Sequence, residues 1–304
     1  MSKKVIARQF GGLGNQLFIY ATAKALSCRT NSELVMDINT GFRNDAYNRD
    51  FSLHHFNIDF RIANRFESFD FPSGKVWRYF FRRFNSFLKD KNRFYLTDLL
   101  SNEWFFMPEI INHTLISSTW IEGYWQSPRY FEDISDLLVT ELTIKSPLSL
   151  ETMRVNDLIQ RENSVSIHLR MIRDLSNDVD SQKSNKISLM HYHSAMEYIS
   201  TRIENVHFFC FSDNAEIAKE FLKVPYNITF ISHNKGNKDY EDFFLMQQCQ
   251  HNILANSTFG WWPAWLNSNS KKIIISPPIH YWDNKDILPH SWLTSDQISN
   301  FLQQ

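Results

Sequence analysis

Two periodicities alternate along this chain, and their order suggests its architecture. Short apolar runs bounded by polar residues read as strands, whereas apolar residues three and four apart read as helices. Residues 4–10 (KVIARQF) form a first strand run. Residues 15–28 then place Leu17, Phe18, Ala21, Ala25 and Cys28 at helical spacing, and residues 33–37 (ELVMD) return to a strand. Strand, turn, helix and strand in that order open a βαβ unit. Residues 38–140 are less regular and rich in Phe, Arg and Asn, with short helices predicted near 75–90 and 127–138. From residue 164 the alternation is regular. Strands are expected at 164–169, 206–211, 227–231, 252–255 and 272–276, with helices at 192–203, 214–222, 240–249 and 259–266. Strands alternating with helices imply a parallel, doubly wound α/β sheet with ligands at the strand C-terminal ends. Ser146-Pro147 lies in a polar stretch between the two regimes and sets the predicted boundary, giving domains 1–146 and 147–304.

Composition narrows the class. The 304 residues are 43% hydrophobic and 15% aromatic, too apolar for disorder, and the length suits about two domains. Lys plus Arg number 32 against 33 Asp plus Glu, so the chain has no global electrostatic footprint for nucleic acid. Cys28, Cys210 and Cys249 are odd in number and widely spaced, which argues against a disulfide framework or structural zinc. No secretory apolar core follows the N-terminus, and no run of about 18 apolar residues is present. A soluble, cytoplasmic protein is therefore expected. No metal site is expected: His191-Tyr192-His193 lacks further ligands, and Asp178-Val179-Asp180, the nearest DxD pair, falls in a polar loop.

Four motifs can carry chemistry. Three of only eight glycines, Gly11, Gly12 and Gly14, fall within four positions, which suggests a positive φ or close approach of a ligand. A glycine loop opening a helix, followed by Asn15 and Gln16, presents N–H groups and the positive end of the helix dipole to a phosphate or sugar oxygen. Two other readings stand beside this one: a tight turn that simply needs glycine, and a dinucleotide site using Gly12, Gly14 and Asp37. Leu17 occupies the position where the latter wants a third small residue. His168-Leu169-Arg170 ends a strand; the Arg170 fork suits a pyrophosphate or an ion pair at a domain interface. Asp213, in Phe211-Ser212-Asp213-Asn214, is read first as a helix N-cap and second as a hydrogen-bond acceptor for a sugar hydroxyl. Asn256-Ser257-Thr258 opens a helix as a second anion seat, and Trp261, Trp262 and Trp265 behind it read as core. Together these describe a nucleotide-phosphate cleft between two α/β domains.

The residues also resemble a known family. Gly11-Gly12-Leu13-Gly14-Asn15-Gln16-Leu17-Phe18 with Tyr20-Ala21 is similar to the N-terminal signature of bacterial α-1,2-fucosyltransferases, glycosyltransferase family 11. Gly123-Tyr124-Trp125-Gln126-Ser127 with Tyr130-Phe131 resembles the mid-chain marker. Phe211-Ser212-Asp213 and the stretch 242–267 resemble two more, in the same order. The resemblance implies a GT-B type fold, two Rossmann-like domains facing a cleft. It implies an inverting, metal-independent enzyme that moves L-fucose from GDP-β-L-fucose to a glycan hydroxyl, commonly O2 of galactose, in surface-polysaccharide (O-antigen) synthesis. By the same resemblance Arg170 holds the β-phosphate, His168 lies by the nucleoside and Asp242 accepts from the guanine edge. Ser257, Thr258 and Phe259 line phosphate and nucleoside, and Gly12, Gly14, Asn15 and Gln16 close over the sugar diphosphate. No cofactor is implied beyond this donor. The family pattern is His-x-Arg-Arg-x-Asp, whereas this chain has Met171 at the second arginine and Arg173 at the acidic position. A one-residue shift gives that role to Asp174. The departure points to a different GDP-deoxysugar or to a non-catalytic relative as alternatives; the dinucleotide-dependent oxidoreductase is a third.

The transition state would have oxocarbenium character, with Asp174 and Asp213 as candidate bases. Residues 78–93 interleave Arg78, Arg82, Arg83, Lys89, Lys91 and Arg93 with Trp77, Tyr79, Phe80, Phe81, Phe84 and Phe87. The plainer reading is a helix with a solvated charged face and a buried aromatic face. The other is a peripheral contact with an anionic membrane, suited to a lipid-linked glycan acceptor.

Overall fold

The computed structural model describes residues 3–85, 87–89, 92–99, 105–115, 117–170 and 187–302. Two compact units form, Met1–Lys145 with Asn284–Ile287, and Ser146–Asp283 with Leu288–Gln304.

The first unit is built on β1 (Lys4–Arg8), β2 (Glu33–Asp37), β3 (Arg61–Ile62), β4 (Tyr95–Thr97) and β5 (Thr119–Glu122). They pair in parallel in the order β3-β2-β1-β5-β4. The chain leaves β1 towards β2 on one side and later returns to β5 on the other, so the topological switch lies between β1 and β5. Helix α1 (Leu13–Thr30) follows β1 and buries most of its length. It stops where Asn31 turns left-handed at φ 47° and bonds back to Cys28 and Ser27. Strands β3, β4 and β5 were not expected, since runs of two to four residues are too short to show alternation.

Helix α2 (Gly74–Asn85) overturns the plainer reading of its segment. Arg78 and Arg82 point inward, to Asp37 at 3.4 Å and to Glu122 respectively. Trp77, Tyr79, Phe80 and Phe84 are exposed instead. The physical reason is the pair of carboxylates at the ends of β2 and β5, which draw guanidinium groups to the helix's inner face. Phe81 remains inside, against Phe69, Phe94 and Trp120.

The second unit opens with α4 (Leu150–Arg161), which follows α3 (Ser135–Glu141) of the first unit; α4 was not expected. Ser149 caps it by accepting from the Thr152 amide. There follow β6 (Asn163–Leu169), α5 (Leu189–Ser200), β7 (Val206–Ser212), α6 (Ala215–Phe221), β8 (Ile228–Ile231), α7 (Asp239–Gln248), β9 (His251–Ile253), α8 (Thr258–Leu266), β10 (Ile274–Ser276), β11 (Leu293–Thr294) and α9 (Ser295–Leu302). All strands pair in parallel, in the order β11-β10-β9-β6-β7-β8, and the switch lies between β6 and β9. Both faces are covered. Val165, Ile167, Leu169, Phe208 and Cys210 join one core, Phe209 and Phe211 the other. That is why VHFFCF reads as a continuous apolar run. Trp261 and Trp262 are fully buried, as the core reading expects. One cap is corrected: Asn214, not Asp213, starts α6, its side chain accepting from the Ile217 amide at 3.1 Å. Asp213 lies one residue too early to reach the first-turn amides.

Candidate functional site

In the second unit the motif residues gather at the C-terminal edge of the sheet around the β6–β9 switch. His168 is the penultimate residue of β6. Its imidazole is buried, and Nδ1 has no hydrogen-bond partner among the described residues. Burial, with the nearby Arg170 charge, pushes its pKa down to about 3, so the ring is neutral near pH 7. Gly260 leaves room for this ring, since a β-carbon there would lie 2.5 Å from Nδ1. Helix α5 fixes both sides of the switch. The Tyr192 hydroxyl donates to the His168 carbonyl at 3.3 Å, and His191 Nε2 lies 2.9 Å from the Leu254 carbonyl. His191 and Tyr192 thus act as fasteners of the switch.

Arg170 is exposed at the end of β6, and no hydrogen bond or ion pair holds it among the described residues. Asp174, with Met171 and Arg173, lies outside the described residues. Asp213 is exposed after β7.

Across the switch, Ser257 caps α8 and accepts from the Phe259 amide at 3.3 Å. Thr258 begins the helix, and the Phe259 ring sits 5.6 Å from that of His168 and 6.2 Å from that of Phe243. Phe259 therefore links His168 to helix α7, where Asp242 follows Glu241. Burial pushes the Asp242 carboxyl up to about 7; Asn234 opposes this, and Asp239 and Glu241 reinforce it. Asn234 donates to Asp242 Oδ1 at 2.7 Å and fixes its direction. Glu241 goes the opposite way. Burial would raise it, but hydrogen bonds led by Ser149 hold it near 2. Its Oε2 accepts from the Ser149 amide at 3.0 Å and from the Ser149 hydroxyl, tying α7 to the start of α4. Sequence reasoning missed Asn234, which nothing in the local pattern signals.

In the first unit the glycine loop follows β1. Gly11 adopts φ +77°, which demands glycine. Gly12 is extended at φ −74°, ψ 170°, and a β-carbon there would meet nothing closer than Arg49 Nε at 3.9 Å. Neither backbone nor packing requires glycine at 12. Gly14 lies in the first turn of α1. Asn15 accepts at Oδ1 from Gln126 Nε2 at 3.0 Å, joining the glycine loop to the mid-chain marker. Gln16 is turned into the loop it belongs to. It is fully buried, its Nε2 donates to the Gly11 and Asp50 carbonyls at 2.9 Å each, and its Oε1 accepts from the Ser52 amide at 2.8 Å. Both Nε2 hydrogens are committed, so Gln16 clamps the loop and has no donor left for a ligand.

The mid-chain marker is structural in the same way. Asp98 accepts from the Tyr124 and Trp125 amides, and a β-carbon on Gly123 would lie 2.0 Å from its Oδ1. Asp37, which the dinucleotide reading needs free for a ribose, is buried. It accepts from the Thr40 and Asn39 amides and faces Arg78. Among the described residues no group of three or more His, Cys, Asp or Glu is arranged to hold a metal ion.

A family model described as Glycosyl transferase family 11 matches residues 5–286. The chain is similar to an alpha-1,2-colitosyltransferase of Escherichia coli, 31% identical over 281 residues, covering 90% of this chain and 91% of that one. It is also similar to the O-antigen biosynthesis glycosyltransferase WbnK of Escherichia coli, 26% identical over 295 residues, with 88% and 91% covered. Among solved structures, the fucosyltransferase NodZ from Bradyrhizobium aligns with a TM-score of 0.50 at 14% identity, over 86% of this chain and 92% of that one. That likeness concerns the fold, a GT-B type arrangement of two parallel α/β sheets.

Proposed function

We propose that this chain, which belongs to glycosyl transferase family 11, transfers L-fucose from GDP-β-L-fucose to a glycan hydroxyl, O2 of galactose first, in surface-polysaccharide synthesis. One observation carries the reading: His168, Asp242, Ser257, Thr258 and Phe259 share the strand-end edge at the switch of the second unit's sheet. This is where doubly wound sheets hold nucleotides.

In this reading the second unit holds GDP. A deprotonated Asp242, oriented by Asn234, accepts from the guanine N–H edge. The neutral His168 imidazole, seated against Gly260 and beside the Phe259 ring, is assigned to the nucleoside side. Arg170 offsets the charge that develops on the departing diphosphate, aided by the N–H groups at the start of α8. The anomeric carbon passes through an oxocarbenium-like state and the acceptor oxygen enters from the opposite face, inverting the centre. Asp213 and Asp174 are the candidate bases for the acceptor proton. Gly12, Gly14 and Asn15 of the first unit are assigned to the sugar-diphosphate side. No metal step is required, because Arg170 and backbone N–H groups supply positive charge.

A second donor is favoured by one relative. The 31% identical protein is named a colitosyltransferase, and colitose is fucose without one ring hydroxyl. Met171 stands where the family pattern has a second arginine, a change that removes donors rather than adding them. A site built to bind a hydroxyl rejects the deoxy analogue strongly, by about 10⁴-fold. Product formation from GDP-fucose against GDP-colitose therefore separates the two donors. The first experiment is a thermal-shift titration with GDP, UDP and NAD, with and without EDTA. A ligand at 100 times its Kd stabilises by about 2.7 kcal/mol. Selective, EDTA-resistant stabilisation by GDP supports the reading; stabilisation by NAD alone, or by none of the three, sinks it.

A further inference from the structure

We propose that the first unit seats the diphosphate of a lipid-carried glycan in a basic cavity at the C-terminal edge of its sheet, with the outer face of α2 against the lipid surface. Arg8 is the last residue of β1 and Glu122 the last of β5, so the two flank the topological switch of this sheet. There the chain forms a half-open cavity of about 700 Å³, lined by Arg8, Arg43, Arg65, Lys75, Arg78 and Arg82 against only two carboxylates, Asp70 and Glu122. Arg8 and Arg82 share Glu122, Arg43 holds Asp70 at 2.7 Å, and Arg78 reaches the buried Asp37 beneath. Arg65 and Lys75 are exposed at the rim, and neither has a carboxylate partner among the described residues. Two guanidinium groups on one carboxylate, with two unpaired cations at the mouth, leave an excess of positive charge. Guanidinium forks match phosphate oxygens bidentately. A doubly charged diphosphate meets that excess, and the remaining volume accommodates a first sugar.

Helix α2 connects this cavity to a membrane. It turns Arg78, Arg82 and the edge of Tyr79 into the cavity, while Trp77, Phe80 and Phe84 face outward, continued by Phe87 at 74% exposure. Phe80 and Phe84 stack at 6.1 Å with Trp77 beside Phe80, so these rings form one patch. Lys75, Arg83 and Lys89 are exposed around it, and residues 74–85 contain no acidic residue. Aromatic rings ringed by cations fit the headgroup level of an anionic bilayer. A diphosphate on a lipid carrier lies at that level, so one helix would serve both contacts.

The proposal uses the glycosyltransferase reading only for what the ligand does next, and its test reads binding alone. Protein saturated with GDP is titrated with inorganic pyrophosphate by calorimetry. It is then sedimented with vesicles of phosphatidylcholine, phosphatidylcholine with phosphatidylglycerol, or phosphatidylcholine with a polyprenyl diphosphate at matched charge. Pyrophosphate is expected to bind saturably despite GDP, and the double variant Arg65→Ala/Lys75→Ala to weaken it about tenfold or more with GDP affinity unchanged. Polyprenyl diphosphate vesicles should retain more protein than phosphatidylglycerol vesicles. Trp77→Ser/Phe80→Ser should reduce vesicle retention and leave pyrophosphate binding intact. All four substituted side chains are exposed, so these variants should fold, and their melting curves check it. Pyrophosphate binding that ignores Arg65 and Lys75 overturns the cavity. Equal retention on the two charged vesicles overturns the lipid diphosphate. If GDP fails to bind, the donor reading falls while the pyrophosphate and vesicle results still decide this one.

Discussion

His168 and Gly260 meet ring against backbone: a β-carbon on Gly260 would lie 2.5 Å from Nδ1, 3.0 Å from Cγ and 3.2 Å from Cβ of the histidine. This contact seats α8 on the end of β6 and gathers two motifs 92 positions apart in the sequence. Gly260→Ala is expected to displace the ring. Overpacking costs about 1–3 kcal/mol, and better helix propensity returns up to about 1. A net loss of about 1 kcal/mol in urea denaturation should accompany weaker GDP binding. Unchanged GDP affinity would detach His168 from the nucleoside.

Under the proposed assignment, Asp242 makes GDP binding sensitive to pH. Its carboxyl is raised from 3.8 to about 7 in the fold. A raised acid favours the protonated native state, so this stabilising contribution is complete below about pH 4 and is lost as pH rises through 7. Binding of a guanine N–H pair needs the carboxylate. GDP affinity should therefore rise from pH 5.5 to 7.5 in calorimetry, with proton release on binding, over a span of ~2 pH units set by this shift. Asp242→Asn should be more stable at neutral pH, bind GDP more weakly and lose the pH dependence. Retained pH dependence in that variant would assign the titration elsewhere.

Arg170→Ala should leave the melting temperature unchanged, because the side chain is exposed and no described contact holds it. Transfer should slow by about 10²–10³, the scale for one preorganised electrostatic donor. Normal turnover by the variant would remove Arg170 from the leaving-group role.

Gln16→Ala should act on stability first. It leaves the Gly11 and Asp50 carbonyls and the Ser52 amide without their partner, at about 1–3 kcal/mol for each group that stays buried. A loss of about 3 kcal/mol in urea denaturation is expected. A stable variant that had lost only GDP binding would return Gln16 to the ligand set.

Gly123→Ala should be among the most damaging single changes in the first unit. Its β-carbon would fall 2.0 Å from Asp98 Oδ1, and Asp98 holds the Tyr124 and Trp125 amides. Freeing these buried groups costs more than about 2 kcal/mol. Thermal unfolding of the variant beside Asp98→Ala measures both halves of the contact; a wild-type melting temperature would contradict it.

The legible parts of this protein share one property: their signal is local. β6 and β7 are seven residues each with both faces buried, so their apolar runs stand out. The glycine loop is legible because Gly11 needs a positive φ, a property of one residue. β3, β4 and β5, two to four residues long, stayed hidden because a strand that short completes no period. Asn234 stayed hidden because its partners, Asp242 and Thr152, lie eight and 82 positions away.

The sequence by itself determined where β1 and β2 and most strands of the second unit end, and therefore which residues lie at the C-terminal edge of the second sheet around β6, β7 and β9. Turn chemistry and apolar periodicity act over a few residues, so one chain segment contains the whole cause. Only the tertiary structure decided which way polar side chains face. Arg78 and Arg82 turn inward because Asp37 and Glu122, far off in sequence, end neighbouring strands. Gln16 is spent inside because Asp50 and Ser52 fold back over it. Asp242 and Glu241 are adjacent carboxyls moved in opposite directions, one by burial and the other by hydrogen bonds led by Ser149. Electrostatic partners and desolvation are properties of the packed chain, and no spacing rule carries them.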